Sequence, residues 1–131
     1  MSSPAGSPSP TAGPSTAVVP SAAEVVERFN AVWSAHDLAG ALALLRDDCV
    51  FDATSPAPDG TSYRGRAEIE SAWQPIFDDR DSRFTVEQFW CAGDRVVQQW
   101  RYDWNGGHVR GVDLFTVTDG LITAKSAYVK G

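Results

Sequence analysis

A single carboxylate, Asp113, stands inside an apolar stretch of predicted β-strand, between Val112 and Leu114. Side chains alternate between the two faces of a strand, so its neighbours on its own face are Gly111 and Phe115. An acid in such surroundings costs free energy unless it is paired or used chemically. Asp113 is therefore the first candidate for a proton-transfer group. The alternative is a buried acid that is hydrogen-bonded for structural reasons.

Asp52 and His108 are two further candidates, because carboxylates and imidazoles are the usual groups in acid–base catalysis. Asp52 lies between Phe51 and Ala53 in a short predicted strand, and it should point outward if Phe51 points into the core, unless a bulge intervenes. His108 opens the strand of Asp113, but parity puts it on the opposite face. The alternative for both is an exposed side chain.

The sequence lacks the motifs of metal-dependent and phosphate-binding chemistry. No His, Cys or acidic residues have metal-site spacing and no phosphate-binding glycine motif is present, so we expect no metal and no cofactor. The two cysteines, Cys49 and Cys91, do not form a disulfide framework. We expect both to be small buried residues in a reducing, cytoplasmic setting.

Composition bounds the domain and its partners. Residues 1–20 contain no charge and no aromatic side chain, so we expect a disordered tail before one domain at 21–131. The tail lacks the basic and apolar regions of a secretory signal. A net charge of −6 without a basic cluster argues against nucleic acid and anionic membranes. No apolar run is long enough to span a membrane.

Capping signals and apolar spacing predict three helices. A capping box at Ser21 and Glu24 begins the first, which should end near Ala35. Asp37 is the predicted N-cap of the second. The apolar stripe of the second helix is Leu38, Leu42 and Leu45. The third begins after Gly65 and should kink or end early at Pro75.

Five predicted strands occupy residues 49–53, 84–91, 95–104, 108–117 and 121–129, and glycine-containing turns join the last four. Helices followed by antiparallel strands predict an α+β domain. Trp100, Tyr102 and Trp104 recur every second residue and share one face of the sheet. That face could line a pocket, pack in the core or form a dimer interface. Parity alone does not show whether it points toward the interior of the domain.

The chain resembles the nuclear transport factor 2-like superfamily, in its SnoaL-like or ketosteroid-isomerase-like branch. The resemblance covers residues 22–131 and is carried by segments 35–38, 46–51, 60–69 and 111–122. It implies a cone-shaped domain with about three N-terminal helices packed on a curved, mostly antiparallel sheet. It is specific for fold and less so for function, because this fold hosts several enzyme classes and non-enzymatic binders.

The resemblance also assigns site positions. The tyrosine of ketosteroid isomerases falls at Phe29, their catalytic base at Asp52 or Ala53, and their later, protonated aspartate at Asp113. In SnoaL-like cyclases the aspartate at this last position is the acid/base group. The residues expected to bind substrate are Phe29, Trp33, Phe51, Trp73, Trp100, Tyr102 and Phe115.

Two functions follow from these expectations. The first is a small cofactor-free isomerase, cyclase or dehydratase acting on an apolar carbonyl compound, in which Asp113 moves a proton with help from Asp52, His108 or Tyr102. In that case Asp113→Asn should fold normally and lose turnover. The second is a non-catalytic protein that binds a small apolar molecule or serves as a dimeric interaction module. We expect a homodimer through the sheet in either case.

Overall fold

The computed structural model describes residues 18–131, and these contain three helices and six strands. In chain order they are α1 (Ala22–Ser34), α2 (Leu38–Ala43), β1 (Leu45–Asp52), β2 (Ser62–Arg64), α3 (Gly65–Asp78), β3 (Arg83–Ala92), β4 (Arg95–Trp104), β5 (Gly107–Thr118) and β6 (Leu121–Val129). Most of the predicted tail, residues 1–17, lies outside the described residues. Residues 18–20 have no regular secondary structure.

The six strands form one sheet in the order β2-β1-β6-β5-β4-β3. Only β1 and β6 pair in parallel, and the other neighbours are antiparallel. The three helices pack against one face of this curved, open sheet. We name this face, which carries Gln98, Asp113 and Phe115, the inner face, and the opposite one the outer face. The predicted α+β architecture is therefore confirmed.

Local capping explains where the first two helices begin. Ser21 accepts a hydrogen bond from the backbone N–H of Glu24, whose side chain accepts one from the backbone N–H of Ser21, so the predicted capping box is confirmed. Asp37 caps α2 by accepting from Gly40 N–H at 2.9 Å. The prediction that Leu45 belongs to α2 is wrong, because Leu45 is the fully buried first residue of β1.

The third helix does not end early at Pro75. Helix α3 continues through the proline to Asp78. Its buried stripe, Ile69, Trp73 and Phe77, spans the proline and packs into the core. This burial outweighs the backbone hydrogen bond that proline removes, so packing overrides the local preference here.

The central strands direct alternate side chains onto the inner face. Gln98 and Trp100 of β4 face the helices, and Gln98 lies directly opposite Asp113 of β5. In β6 the alternation is broken by a bulge, because Thr116 pairs with Ala124 but the next residue of β5 pairs with Ile122. The extra residue is Thr123. As a result Ile122 and Lys125, three positions apart, are both buried on the inner face.

The cysteines occupy different environments. Cys49 is fully buried, and its burial raises the pKa of its thiol to about 11. Cys91 is exposed near the end of β3, so the prediction that both are buried is wrong for this residue. Both thiols are free. None of the helices within residues 18–131 has the length and apolar character needed to cross a membrane.

Candidate functional site

A cavity of about 330 Å³ lies between the inner face of the sheet and the helices α1 and α3. Its size falls at the small end of the range for ligand pockets. Its walls are mostly aromatic and aliphatic. The lining residues are Phe29, Trp33, Phe51, Ala53, Thr54, Ser55, Tyr63, Ala72, Ile76, Phe84, Trp100, Tyr102, Val109, Asp113, Lys125, Ala127 and Val129.

Asp113 and Lys125 are the charged members of this lining, and they form an ion pair. Nζ of Lys125 lies 3.3 Å from Oδ1 of Asp113. The exposed fraction is 1% for Asp113 and 7% for Lys125, so water is nearly excluded from both. The strands β5 and β6 hold the two residues on the same face two rungs apart, where Asp113 pairs with Ala127 and Lys125 with Phe115. The pairing offsets the cost of burying either charge alone.

An amide network fixes the other oxygen of the carboxylate. Gln98, which is fully buried, donates from Nε2 to Oδ2 of Asp113 at 3.1 Å. The same Nε2 donates to Oδ1 of Asn30 at 3.1 Å, and Nδ2 of Asn30 donates to Oε1 of Gln98 at 2.7 Å. Both N–H donors of Gln98 and its carbonyl oxygen are therefore used. These hydrogen bonds link α1 to the sheet and hold Asp113 in one orientation.

The ammonium of Lys125 is otherwise surrounded by aromatic rings. Nζ lies 4.8 Å from the ring centre of Phe51, 5.5 Å from that of Trp33 and 5.8 Å from that of Phe115. Such contacts attract a cation through the negative ring face. Among the described residues, Asp113 is the hydrogen-bond acceptor for this nitrogen. Lysine has three N–H donors, so two are left for a ligand.

The residues predicted to bind substrate divide between cavity and core. Phe29, Trp33, Phe51, Trp100 and Tyr102 line the cavity. Trp73 and Phe115 do not line it, because both are enclosed by neighbouring core side chains with at most 1% of their surface exposed.

The structure does not bring Asp52 and His108 to Asp113. Asp52 lies outside the cavity lining, where its carboxylate accepts a hydrogen bond from the hydroxyl of Ser62. Ala53 lines the cavity instead, so one of the two positions that the resemblance suggested for the base carries no ionisable group. His108 is exposed on the outer face of the sheet, as its parity predicted.

Sequence reasoning missed Lys125, Gln98, Asn30 and Tyr63 as members of this site. The signal for Lys125 was available, because it is the one charged residue in the segment 121–129, as Asp113 is in its own apolar stretch. Gln98 lies two residues before Trp100 and so shares the face of the predicted aromatic stripe, and its position opposite Asp113 follows from the register. Asn30 and Tyr63 carry no sequence signal that separates them from surface residues.

Together these groups suit proton transfer at a bound carbonyl compound. An oriented carboxylate can accept or return a proton, and an adjacent ammonium can stabilise negative charge that develops on oxygen. The hydroxyl-bearing side chains of Tyr63 and Tyr102 lie in the same lining. Within residues 18–131, no three His, Cys, Asp or Glu side chains are grouped as metal ligands.

Comparisons with known structures agree with the fold. A nuclear transport factor 2-like protein of unknown function from Mesorhizobium loti is 41% identical over 84% of this chain and 91% of its own, with a TM-score of 0.77. A Mycobacterium tuberculosis protein, solved in complex with estradiol-17β-hemisuccinate, is 25% identical over 83% and 94% of the two chains, with a TM-score of 0.70.

A proposed polyketide cyclase from Pseudomonas putida is 19% identical over 85% of this chain and 92% of its own, with a TM-score of 0.67, which supports the fold alone. No curated protein matches the sequence. The SnoaL-like domain family matches residues 26–125, which is most of the folded part. The chain therefore belongs to the SnoaL-like domain family, within the nuclear transport factor 2-like superfamily.

Proposed function

We propose that this protein is a cofactor-free acid–base enzyme that moves a proton at the carbon next to the carbonyl of an apolar compound. The observation that carries the proposal is the buried Asp113–Lys125 pair in the lining of an aromatic cavity. Asp113 takes the proton, and Lys125 provides positive charge to the carbonyl oxygen as it becomes an enolate. Isomerisation, cyclisation and dehydration can all begin with this step.

Because the lining is mostly apolar apart from Asp113 and Lys125, it favours a substrate that carries no charged group away from its reacting carbonyl. Phe51, Trp33 and Trp100 offer flat ring surfaces to a cyclic substrate. The Mycobacterium tuberculosis relative was solved with estradiol-17β-hemisuccinate, whose steroid part is an apolar, cyclic ring system. The alternative is a protein of the same fold that binds such a compound without turning it over.

The test is exchange of protons for deuterium in 1-tetralone, an apolar bicyclic ketone, followed by NMR in D2O. We expect the protein to accelerate exchange next to the carbonyl, and Asp113→Asn to slow it by at least about a hundredfold, which is the scale of general-base catalysis. Asp81→Asn makes the same chemical change at an exposed position and should retain the wild-type rate. Binding of 1-tetralone with no exchange above buffer would support the non-catalytic alternative and reject the enzyme.

We further propose that the outer face of the sheet forms a homodimer interface. Trp90, Val97 and Leu114 are neighbours across β3, β4 and β5, and Trp90 and Leu114 are large hydrophobic side chains left exposed. Tyr128 extends this patch on β6 with 61% of its surface exposed. The same face carries the Glu87–Arg110 ion pair, so it offers charges of both signs to a second copy. Apolar patches of this kind commonly mark interfaces, and homodimers are commonly twofold.

Sedimentation velocity at micromolar concentration should therefore show a dimer. Leu114→Glu is expected to convert it to a monomer, because a carboxylate would be buried at the interface without a partner. Ala67→Glu adds the same charge on the exposed side of α3 and should remain dimeric. A monomeric wild-type chain would reject the proposed interface.

A further inference from the structure

Lys125 is the amine of the cavity, and a primary amine can do more to a carbonyl than attract its oxygen. It lies beside Asp113, against three aromatic rings, with two N–H directions not taken by an acceptor in the described chain. An amine in a water-poor pocket is the setting in which lysine forms a Schiff base with carbonyl substrates. Asp113, at 3.3 Å, is close enough to take a proton from it directly.

We propose that Lys125 forms a covalent iminium with an apolar aldehyde or ketone that has a hydrogen on the neighbouring carbon. This inference rests on the proposed function, since it names how the same site activates its carbonyl substrate. The ammonium first passes a proton to Asp113. The free amine nitrogen then attacks the carbonyl carbon and forms a C–N bond, while the C=O π bond breaks and its electron pair moves to the oxygen. The nitrogen loses a proton as the oxygen gains one, which gives a neutral carbinolamine.

Asp113 next returns its proton to the carbinolamine hydroxyl, the C–O bond breaks and water leaves. Overall, one ammonium and one carbonyl give one iminium and one water, so no oxidant or reductant is required. The carboxylate of Asp113 is restored and stands beside a positive nitrogen, as it did at the start. The net charge of the cavity is unchanged, which matters where an unpaired ion would be costly.

The iminium makes the neighbouring C–H bond more acidic, because electrons released from that bond neutralise the positive nitrogen. Asp113 is then the carboxylate that removes this proton. The Gln98–Asn30 network holds the carboxylate from its other oxygen, so Asp113 keeps its orientation while Lys125 is bonded to the substrate. One acid thus serves both the formation of the covalent bond and the proton transfer that follows.

The sequence provides an internal control, because its two lysines are Lys125 and Lys130. Lys130 is exposed, whereas Lys125 lines the cavity. The experiment treats the full chain with 2-naphthaldehyde and sodium cyanoborohydride and locates the reduced adduct by peptide mass spectrometry. Lys125 should be modified at least about tenfold faster than Lys130 or the N-terminal amine, because cavity binding brings the aldehyde to it. Lys130→Arg should leave the Lys125 adduct unchanged.

Two variants test the role of the amine. Lys125→Arg keeps the positive charge but should form no cavity adduct, since a guanidinium does not condense with the aldehyde under these conditions. Asp113→Asn should slow the labelling of Lys125 at least about tenfold through loss of the proton carrier. Equal labelling of the two lysines, or labelling of Lys130 alone, would overturn the proposal.

The covalent step and the proposed function can fail separately. If Lys125→Arg retains the 1-tetralone exchange rate and the wild type shows no Lys125 adduct, the iminium is rejected and acid–base catalysis by Asp113 stands. If the wild type forms the adduct at Lys125 but exchanges no protons, the covalent chemistry stands and the proposed function is rejected.

Discussion

Replacing Asp113 with asparagine is expected to lower the free energy of unfolding by about 3 kcal/mol, because the ammonium of Lys125 remains buried without its carboxylate. Lys125→Met should cost a similar amount, since Asp113 would keep only the hydrogen bond from Gln98. The double variant removes both charges, so its loss should be smaller than the sum of the single losses by at least about 2 kcal/mol. Urea unfolding at neutral pH of the wild type, the two single variants and the double variant measures this double-mutant cycle.

The sequence alone predicts that Asp113→Asn folds normally, whereas the structure predicts a loss of stability. A lone cavity acid would tolerate asparagine without loss of stability, whereas a paired acid would not. The double variant also separates stability from chemistry, because it should lose less stability than the two single variants combined and still lack proton exchange. Additive losses in the cycle would mean that the two side chains do not form an ion pair in solution.

The second large effect is expected at Trp73, the centre of the aromatic core. Its ring lies 5.0 Å from that of Trp33, 5.4 Å from that of Phe51 and 5.7 Å from that of Phe29. These are distances at which aromatic pairs attract each other. Trp73→Ala should lower the free energy of unfolding by about 3–5 kcal/mol, because it leaves a large void among side chains that cannot collapse fully.

Trp73→Phe is the matched control. The indole N–H of Trp73 has no hydrogen-bond partner in the described chain, so phenylalanine removes a buried polar group along with part of the ring. The two effects oppose each other, and we expect a loss of about 1 kcal/mol. Thermal and urea unfolding of both variants test this. A mild effect of Trp73→Ala would contradict the placement of Trp73 in the core.

The fold was predictable because its signals are local. The capping box at Ser21, the N-cap at Asp37 and the glycine turns between strands depend on neighbouring residues, and strands β4 and β6 have the predicted bounds. The errors arose where tertiary packing decides. Helix α3 passes Pro75 because its apolar stripe is buried on both sides, and the three-residue strand β2 exists through its pairing with β1.

The site was predictable in part. Asp113 was identified because a charge in an apolar strand is conspicuous. The spacing of Trp100 and Tyr102 put them on one face, but it did not show that this face lines the cavity. The partner of Asp113 was not identified, because strict alternation from the buried Ile122 would turn Lys125 toward the opposite face. Asn30 reaches the site only through the packing of α1 on β4, and neither its residue type nor its spacing reveals that contact.

The bulge at Thr123 gives this site an unusual dependence on backbone register. A regular strand of the same length, still paired at Ile122, would place Lys125 on the outer face and leave the cavity with an acid and no amine. A relative can therefore carry an aligned lysine and lack the pair, if its last strand has the same length and no bulge before that position. Inheritance of the Asp113–Lys125 pair within the family then follows this bulge as much as the identity of any side chain.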